Sequence, residues 1–233
     1  MPDGLKTATR ETVAIPVSGG QLAGELAYAQ EDRGVALLIG PHPYMGGSMN
    51  NNVVSQLAIG LAEAGIATLR FDHRPPAREQ TAATMIEFWR SGHAPHDQQL
   101  VTDAAAALAW LTEQFASPPA LVGYSFGAYV ASEIIREQTP AAVMIAPTVC
   151  QHELPAMRES AVPKLVIFSS DDFATPMLAT ESWFVQLAEP KAKTCLVGAE
   201  HFFRGREGEV LQQALGFLEA PACPSRAEVT SHA

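Results

Sequence analysis

Apolar and polar positions follow two alternating periodicities along most of the chain. Short apolar runs that suit buried parallel strands are followed by longer stretches with apolar residues at helical spacing. Such alternation indicates right-handed β-α-β units, and it predicts an α/β fold with a mostly parallel central sheet and helices on both faces. The strand-like runs are 35–39, 66–71, 120–122, 141–146, 164–169 and 192–197, and the helix-like stretches are 53–64, 81–90, 100–115, 128–137, 176–187 and 207–218.

Three segments depart from this alternation. Residues 12–17 and 22–29, separated by a Ser-Gly-Gly turn, predict a β-hairpin. Residues 73–97 are irregular apart from one amphipathic stretch, and we expect them to form a small cap or insert. Residues 220–233 are polar and lack periodicity, which predicts a flexible tail. No repeat or linker interrupts the rest, so residues 1–219 are predicted to form a single domain.

Composition narrows the class of protein. Of the 233 residues, 47% are hydrophobic and 17% charged, which suits a compact globular protein. The net charge of -10 argues against unaided binding to nucleic acid or to an anionic membrane. There is no apolar run of about 18 residues, no signal-peptide core in residues 1–10, and only three widely spaced cysteines. We therefore expect a cytoplasmic protein without disulfides.

The segment Gly123-Tyr124-Ser125-Phe126-Gly127 lies between a predicted strand and a predicted helix. This context is that of a nucleophile elbow, in which a serine at a sharp turn raises its hydroxyl above the sheet edge. The tight turn leaves no room for a β-carbon, which explains both glycines. The five-residue pattern alone is weak, since it occurs by chance in roughly one chain in fifteen of this length. The partners of the serine must support the assignment.

A serine hydroxyl becomes a good nucleophile when a histidine accepts its proton, and a carboxylate then orients the imidazole. In this architecture the order along the chain is serine, acid, histidine. Three histidines follow Ser125. His201 comes directly after the last predicted strand and is the preferred base. His152, in an irregular loop, remains an alternative, whereas His232 lies in the predicted tail.

The acid is sought after the strand-like run 164–169. Asp171 and Asp172 both lie there, ahead of Pro176. We prefer Asp172 and keep Asp171 as the reserve. Capping of the next helix would explain one aspartate but not two.

The oxyanion of an acyl-transfer intermediate needs two hydrogen-bond donors, which are usually backbone N–H groups. Phe126, directly after the serine, is expected to supply one. The loop 42–47 is expected to supply the other. Because Pro43 has no N–H, Tyr44 is the first candidate and Met45 the second.

Residues beside these positions could line a substrate pocket. His73, His93, His96 and Asp97 also suggest a metal site, but their irregular spacing in a loop-rich segment favours solvated or capping roles. We therefore predict no metal and no cofactor. The predicted pocket residues are His42, Met45, Phe88, Trp89, Phe173 and Phe202.

Taken together, the motifs resemble the α/β-hydrolase fold superfamily over about residues 12–219, and more narrowly the small bacterial dienelactone-hydrolase-like group. The resemblance to that group implies that Asp172 is the acid, because its G-x-x-D-x-x-x-P segment matches here with Ser169 in place of glycine. The loop after Phe71 departs from the N-F-R-G-x-G of the group and is longer. The matching segments are His42-Pro43-Tyr44-Met45-Gly46-Gly47-Ser48-Met49-Asn50-Asn51 for H-P-x-x-G-G-x-x-x-N, Gly123-Tyr124-Ser125-Phe126-Gly127-Ala128 for G-[FY]-S-F-G-[AG], and His201-Phe202-Phe203 for H-F-F.

These observations predict a serine hydrolase that cleaves a small-molecule carboxylic ester or thioester through an acyl-enzyme, with neither nucleic acid nor membrane as partner. Ser125 would attack, His201 would act as base and then acid, and Asp172 would orient it. An acyltransferase with the same triad is the alternative. A non-catalytic binding protein is a third hypothesis, since fold alone does not fix function. The sequence carries no signal of oligomeric state.

Overall fold

The structure is a computed structural model that describes residues 7–30, 33–74 and 81–220, without the side chains of Thr81 and Trp89. The tail predicted for residues 220–233 lies almost wholly outside the described residues. The strands are β1 (Thr9–Val17), β2 (Gly20–Tyr28), β3 (Gly34–Ile39), β4 (Ile66–Phe71), β5 (Ala120–Tyr124), β6 (Ala142–Ile145), β7 (Lys164–Asp171) and β8 (Lys191–Glu200). The helices are α1 (Asn52–Glu63), α2 (Thr81–Ser91), α3 (Asp97–Gln114), α4 (Phe126–Ile134), α5 (Pro155–Glu159), α6 (Met177–Val185) and α7 (Glu207–Glu219), with a 3₁₀ turn at Pro43–Met45.

The described strands form one sheet in the order β1-β2-β4-β3-β5-β6-β7-β8. Strands β3 to β8 run parallel, and the β1–β2 hairpin joins them antiparallel through β4. The predicted α/β fold, with its initial hairpin, is confirmed. In such a sheet the carboxyl ends of the parallel strands lie at one edge, where ligands bind. β5, β7 and β8 therefore deliver the residues that follow them to the same edge.

Two apolar layers cover the two faces of the sheet. Successive residues of β3 illustrate the division: Leu37 belongs to the layer under α3 and α4, whereas Leu38 belongs to the layer under α1 and α7. Both leucines are almost completely buried, and full burial of such a side chain contributes about 2 kcal/mol. Continuous apolar runs in the sequence correspond to strands that are covered in this way on both faces. Within the described part of the chain, no helix has the length and apolarity to cross a membrane.

Local signals explain where α1 begins and ends. The side chain of Asn51 accepts hydrogen bonds from the N–H groups of Val53 and Val54, so it caps the helix. Gly65, with a φ of 92°, adopts the left-handed conformation that follows the last turn.

One predicted loop contains a helix. Residues 147–163 lie between the strand-like runs 141–146 and 164–169 and carry no predicted helix or strand, but α5 lies within them. Pro155 occupies its first turn, where a missing N–H has no cost, and Met157 is buried. Five residues are too few to show a helical period, which is why the pattern missed it. In the segment expected to form a cap, α2 is present, while residues 75–80 lie outside the described part.

Candidate active site

Ser125 sits at the turn between β5 and α4 in a strained backbone conformation, with φ 56° and ψ -119°. Its N–H donates to the carbonyl of Ile145 at 2.8 Å, which ties the turn to β6. A β-carbon on Gly123 would lie 2.3 Å from the carbonyl oxygen of Gly127. One on Gly127 would lie 2.0 Å from the carbonyl oxygen of Ile39. Both glycines are therefore required by the close approach of neighbouring backbone, as expected of an elbow.

Three side chains at the ends of β5, β7 and β8 form one chain of hydrogen bonds. His201 Nε2 lies 3.0 Å from Ser125 Oγ, and His201 Nδ1 lies 2.8 Å from Asp172 Oδ2. The His201 and Asp172 side chains are only 6% and 2% exposed. The other carboxylate oxygen, Oδ1 of Asp172, accepts the N–H groups of Ala174 and Thr175 at 2.7 and 2.9 Å. The acid is thus fixed by its own turn, and it fixes the imidazole.

The two alternatives weighed from the sequence lie elsewhere. Asp171 is exposed and its carboxylate contacts Ser170 Oγ at 3.3 Å. The ring of His152 packs against Phe126 and stacks on Tyr129, with centroids 5.4 and 4.7 Å apart. Burial lowers the pKa of His152 to about 4. The structure brings neither residue into the hydrogen-bonded chain that contains Ser125.

Tyr124, the residue before Ser125, supports the same chain and was missed by the sequence reasoning. Its hydroxyl donates to the backbone carbonyl of His201 at 3.0 Å, and the side chain is 1% exposed. Burial raises the pKa of this phenol, so the hydroxyl stays protonated and remains a donor. A tyrosine at the second position of the elbow was the available signal, but its partner lies 77 residues away.

The two expected oxyanion donors differ in what they contact. Phe126 is the first residue of α4, so its N–H has no carbonyl of a preceding turn to bond. The N–H of Tyr44 instead donates to His42 Nδ1 at 3.0 Å, and that of Met45 donates to the His42 carbonyl at 3.0 Å. The candidate donors of the 42–47 loop are therefore both engaged within the loop.

His42, predicted as a pocket residue, is 2% exposed and bonded at both ring nitrogens. Because Nδ1 accepts from Tyr44, Nε2 carries the proton and donates to Asp97 Oδ1 at 3.0 Å. Its ring lies 4.5 Å, between centroids, from the rings of Phe88 and Phe126. His42 thus contributes an aromatic surface and no free polar group.

The other predicted pocket residues lie near His201 or on the elements that precede the elbow. Phe173 is 61% exposed, and its ring centroid lies 5.2 Å from that of His201. Phe202 lies 5.6 Å from His201, measured in the same way. Met45 is exposed on the 3₁₀ turn. Trp89 belongs to α2, but its side chain is outside the described set.

Solvated or capping roles were expected for the four residues that suggested a metal site. His93 is exposed as expected, and His96 stands at the N-cap position of α3 without a capping bond. The expectation of solvation was wrong for His73 and Asp97, which are 8% and 7% exposed. Both are buried because α3 packs against the sheet beside the elbow, a tertiary contact that residue spacing does not reveal.

Comparison with known proteins agrees with this architecture. The family described as serine aminopeptidase, S33, matches residues 45–171, more than half of the chain. A structure of an alpha-beta serine hydrolase homologue from Coxiella burnetii is 27% identical and has a TM-score of 0.74, covering 88% of this chain and 96% of that one. A protein of unknown function from Agrobacterium tumefaciens is 26% identical with a TM-score of 0.76, covering 90% and 95%.

A dienelactone hydrolase from Anabaena variabilis has the same fold, with a TM-score of 0.71 and 22% identity over 91% of this chain and 97% of that one. The superfamily resemblance carried by the sequence motifs is therefore confirmed. The family match includes the elbow and stops one residue before Asp172. The chain belongs to the serine aminopeptidase S33 family of the α/β-hydrolase superfamily, and it is a hydrolase.

Proposed function

We propose that the protein is a serine hydrolase that cleaves a carboxylic ester or thioester through an acyl-enzyme. The observation that carries this proposal is the unbroken chain from Ser125 Oγ to His201 Nε2 and from His201 Nδ1 to Asp172 Oδ2. A serine, a histidine and a carboxylate in this order and geometry generate an activated nucleophile.

Each step of the proposed reaction uses an atom of this series of hydrogen bonds. Ser125 Oγ attacks the carbonyl carbon while its proton passes to His201 Nε2. Asp172 Oδ2 accepts from His201 Nδ1 and stabilises the imidazolium. The imidazolium then gives its proton to the departing alcohol or thiol, which leaves the acyl group on Ser125. A water molecule, deprotonated by His201, repeats the sequence and releases the acid.

The developing oxyanion is held by backbone donors in this proposal. Phe126 supplies one N–H from the start of α4, where the helix dipole also favours negative charge. Tyr44 is the second donor, and it serves only when its hydrogen bond to His42 Nδ1 is released or shared. Arrival of the substrate would therefore shift the 42–47 loop slightly.

The surroundings favour an uncharged, partly aromatic substrate. The rings of Phe173 and Phe202 contact His201. The rings of Phe88 and Phe126 contact His42. The family description names aminopeptidases, whose substrates carry a free amine. Asp172 and Asp97, the buried carboxylates of this region, each already accept from a histidine. Asp172 also accepts two backbone N–H groups on its other oxygen, so it is not left to bind an ammonium group, which supports an ester or thioester.

Replacement of the nucleophile tests the proposal. For Ser125→Ala we expect kcat for short p-nitrophenyl esters to fall by about 10⁶-fold, and a fluorophosphonate probe to stop labelling the chain. Ser132→Ala is the matched control, since Ser132 is a buried serine on α4 whose hydroxyl has no hydrogen-bond partner in the described part of the chain. It should keep both turnover and labelling. Unchanged ester turnover in Ser125→Ala would overturn the assignment.

The same assay separates hydrolysis from acyl transfer. If an added alcohol at modest concentration captured most of the acyl group, the acceptor would not be water and the protein would be an acyltransferase. We expect the free acid as the main product.

A further inference from the structure

His93, Asp97 and His152 lie together beside the candidate active site although they come from three segments. His93 follows α2, Asp97 begins α3, and His152 lies in the loop after β6. One potential ligand atom from each lies within 4.8 Å of the other two. Two imidazoles and a carboxylate are a ligand set that binds divalent transition metals.

His152 has the environment of a metal-binding histidine. Its Nδ1 lies 2.9 Å from Thr148 Oγ1, a contact that fixes the ring. Its Nε2 is buried and has no hydrogen-bond partner among the residues that the structure describes, and the residue is 4% exposed. A buried polar atom without a partner is uncommon in folded proteins, and a bound ion is one arrangement that would satisfy it. Ligating histidines bind through one nitrogen and use the other to hold the ring in place.

Hydrogen bonds also fix the carboxylate of Asp97. Its Oδ1 accepts the proton on His42 Nε2 at 3.0 Å, and its Oδ2 accepts the N–H of Ala94 at 3.0 Å. Oδ2 also faces His93 Nδ1 at 3.6 Å. Oδ2 is therefore the carboxylate oxygen that lies beside a ring nitrogen of the cluster. A hydrogen-bonded carboxylate is the common form of an oxygen ligand, because its partners orient it.

His93 forms the open side of the cluster. Its side chain is 54% exposed, and its ring centroid lies 4.8 Å from that of His152. Solvent can therefore reach the centre of the cluster past this residue. An exposed side chain can also rotate at small cost, so it can close on an ion.

We propose that His93, Asp97 and His152 form a binding site for a divalent transition-metal ion of the zinc class. Bond lengths of about 2.1 Å in a tetrahedral site separate the donor atoms by roughly 3.4 Å. The cluster is somewhat wider than this, and rotation of the exposed His93 closes the difference. Water from the open side completes the coordination.

The ion would join the cap to the body of the protein. Gly92, which follows α2, packs closely against the loop that holds His152. A β-carbon added to Gly92 would lie only 2.6 Å from Cβ of Gln151. His152 in turn packs against Phe126, the residue after Ser125. Binding would therefore fix α2, which carries Phe88, against the wall of the candidate pocket. This consequence for the pocket depends on the proposed function, whereas binding of the ion does not.

Titration of the chelator-treated, dialysed full chain with zinc chloride tests the site by calorimetry. We expect one ion per chain, and a rise in melting temperature of about 5 °C at free zinc near 100 times Kd. His93→Ala removes a ligand from the surface without opening the core, and it should weaken binding by about 100-fold or more, because loss of an orienting partner alone costs 10- to 100-fold. His96→Ala, a histidine three residues away and outside the cluster, should bind as the wild type does.

Two further variants test zinc binding independently of His93 and of the proposed esterase activity. Thr148→Val removes the group on His152 Nδ1 and should weaken binding by roughly tenfold, with circular dichroism unchanged. Ser125→Ala should bind zinc normally, so failure of the esterase assignment would leave this site intact. Equal affinity in wild type and His93→Ala, or equal losses in His93→Ala and His96→Ala, would overturn the proposal.

Discussion

The structure contains two buried histidine–aspartate pairs, His201 with Asp172 and His42 with Asp97, and they differ in what the second ring nitrogen contacts. His201 donates from Nδ1 to Asp172 and presents Nε2 to the hydroxyl of Ser125. His42 donates from Nε2 to Asp97 and presents Nδ1 to the backbone N–H of Tyr44. One pair faces a group that can lose a proton in a reaction, whereas the other faces an amide that cannot.

The comparison shows that a histidine–carboxylate pair is not by itself a sign of catalysis. The pairing distances, 2.8 and 3.0 Å, are nearly equal, and both histidines are buried. The group beyond the imidazole separates the proposed catalytic pair from a pair that shapes a loop. Substitutions that affect the two pairs differently test this distinction.

The largest expected difference is between the two aspartates. For Asp172→Asn we expect a loss of about 10⁴-fold in kcat, because an amide cannot stabilise the imidazolium and favours the wrong tautomer. Asp97→Asn should lower kcat by less than about 100-fold and act mainly on KM, since it disturbs the loop that holds Tyr44 and none of the groups proposed to react. Steady-state kinetics on one p-nitrophenyl ester measures both.

Asp171→Asn is the control for this experiment. Asp171 is the neighbour of Asp172 and is exposed, so its variant should retain wild-type kinetics. Comparable losses of kcat in Asp172→Asn and Asp97→Asn would remove the distinction between the two pairs.

A second difference concerns the backbone beneath the serine. In Gly127→Ala the new β-carbon would meet the Ile39 carbonyl oxygen at 2.0 Å, and neither backbone can move without shifting a central strand. We expect a loss of more than about 3 kcal/mol in the free energy of unfolding. Gly216→Ala, at an exposed helical position with open space around it, should instead gain up to about 1 kcal/mol. Urea unfolding measures both, and a stable Gly127→Ala protein would contradict the elbow geometry.

The strand-end half of the site was largely predictable from the sequence. Ser125, Asp172 and His201 each follow an apolar run, and the topology of a parallel sheet brings the ends of such runs to one edge. The choice of Asp172 over Asp171 agrees with the observed geometry, since Asp172 bonds to His201. The prediction of the fold used the same hydrophobic periodicity, so one pattern predicted both the fold and this part of the site.

The part of the site formed by the 42–47 loop and Asp97 could not be predicted in the same way. His42 and Asp97 are 55 residues apart, and no periodicity connects a 3₁₀ turn to the start of α3. Their contact depends on how α3 packs against the sheet, which is a tertiary result. The engagement of the Tyr44 N–H by His42 follows from the same packing, and a sequence motif shows only that the N–H exists.

His73 is also buried, and it sharpens the comparison because no aspartate among the described residues pairs with it. Burial lowers the pKa of His73 to about 4, with the nearby His42 acting in the same direction. Between pH 6.5 and 4 the unfolded chain therefore binds a proton that the folded chain does not. Stability contributed by the neutral ring is complete above pH 6.5 and is lost as the pH falls.

The variant His73→Phe keeps a planar ring beside Phe71 and removes this titration. The quantity compared is the free energy of unfolding of the variant minus that of the wild type. We expect this difference to be about 2 kcal/mol more favourable to the variant at pH 5 than at pH 7. Urea unfolding at the two pH values, with chelator present, gives the comparison. An unchanged difference between pH 7 and pH 5 would mean that His73 is protonated in the folded state or is not buried.

The smallest expected effect comes from Tyr124, which supports the proposed catalytic histidine through the backbone of His201. In Tyr124→Phe the His201 carbonyl loses a buried donor, at a cost of about 1 kcal/mol in stability. Because the bond fixes the position of the imidazole rather than binding substrate, kcat should fall by up to about tenfold while KM stays unchanged. Tyr28→Phe removes an exposed hydroxyl that bonds to Glu11 and should change neither quantity. A rise in KM at constant kcat would instead place Tyr124 among the groups that bind substrate, and the geometry of His201 would then not depend on it.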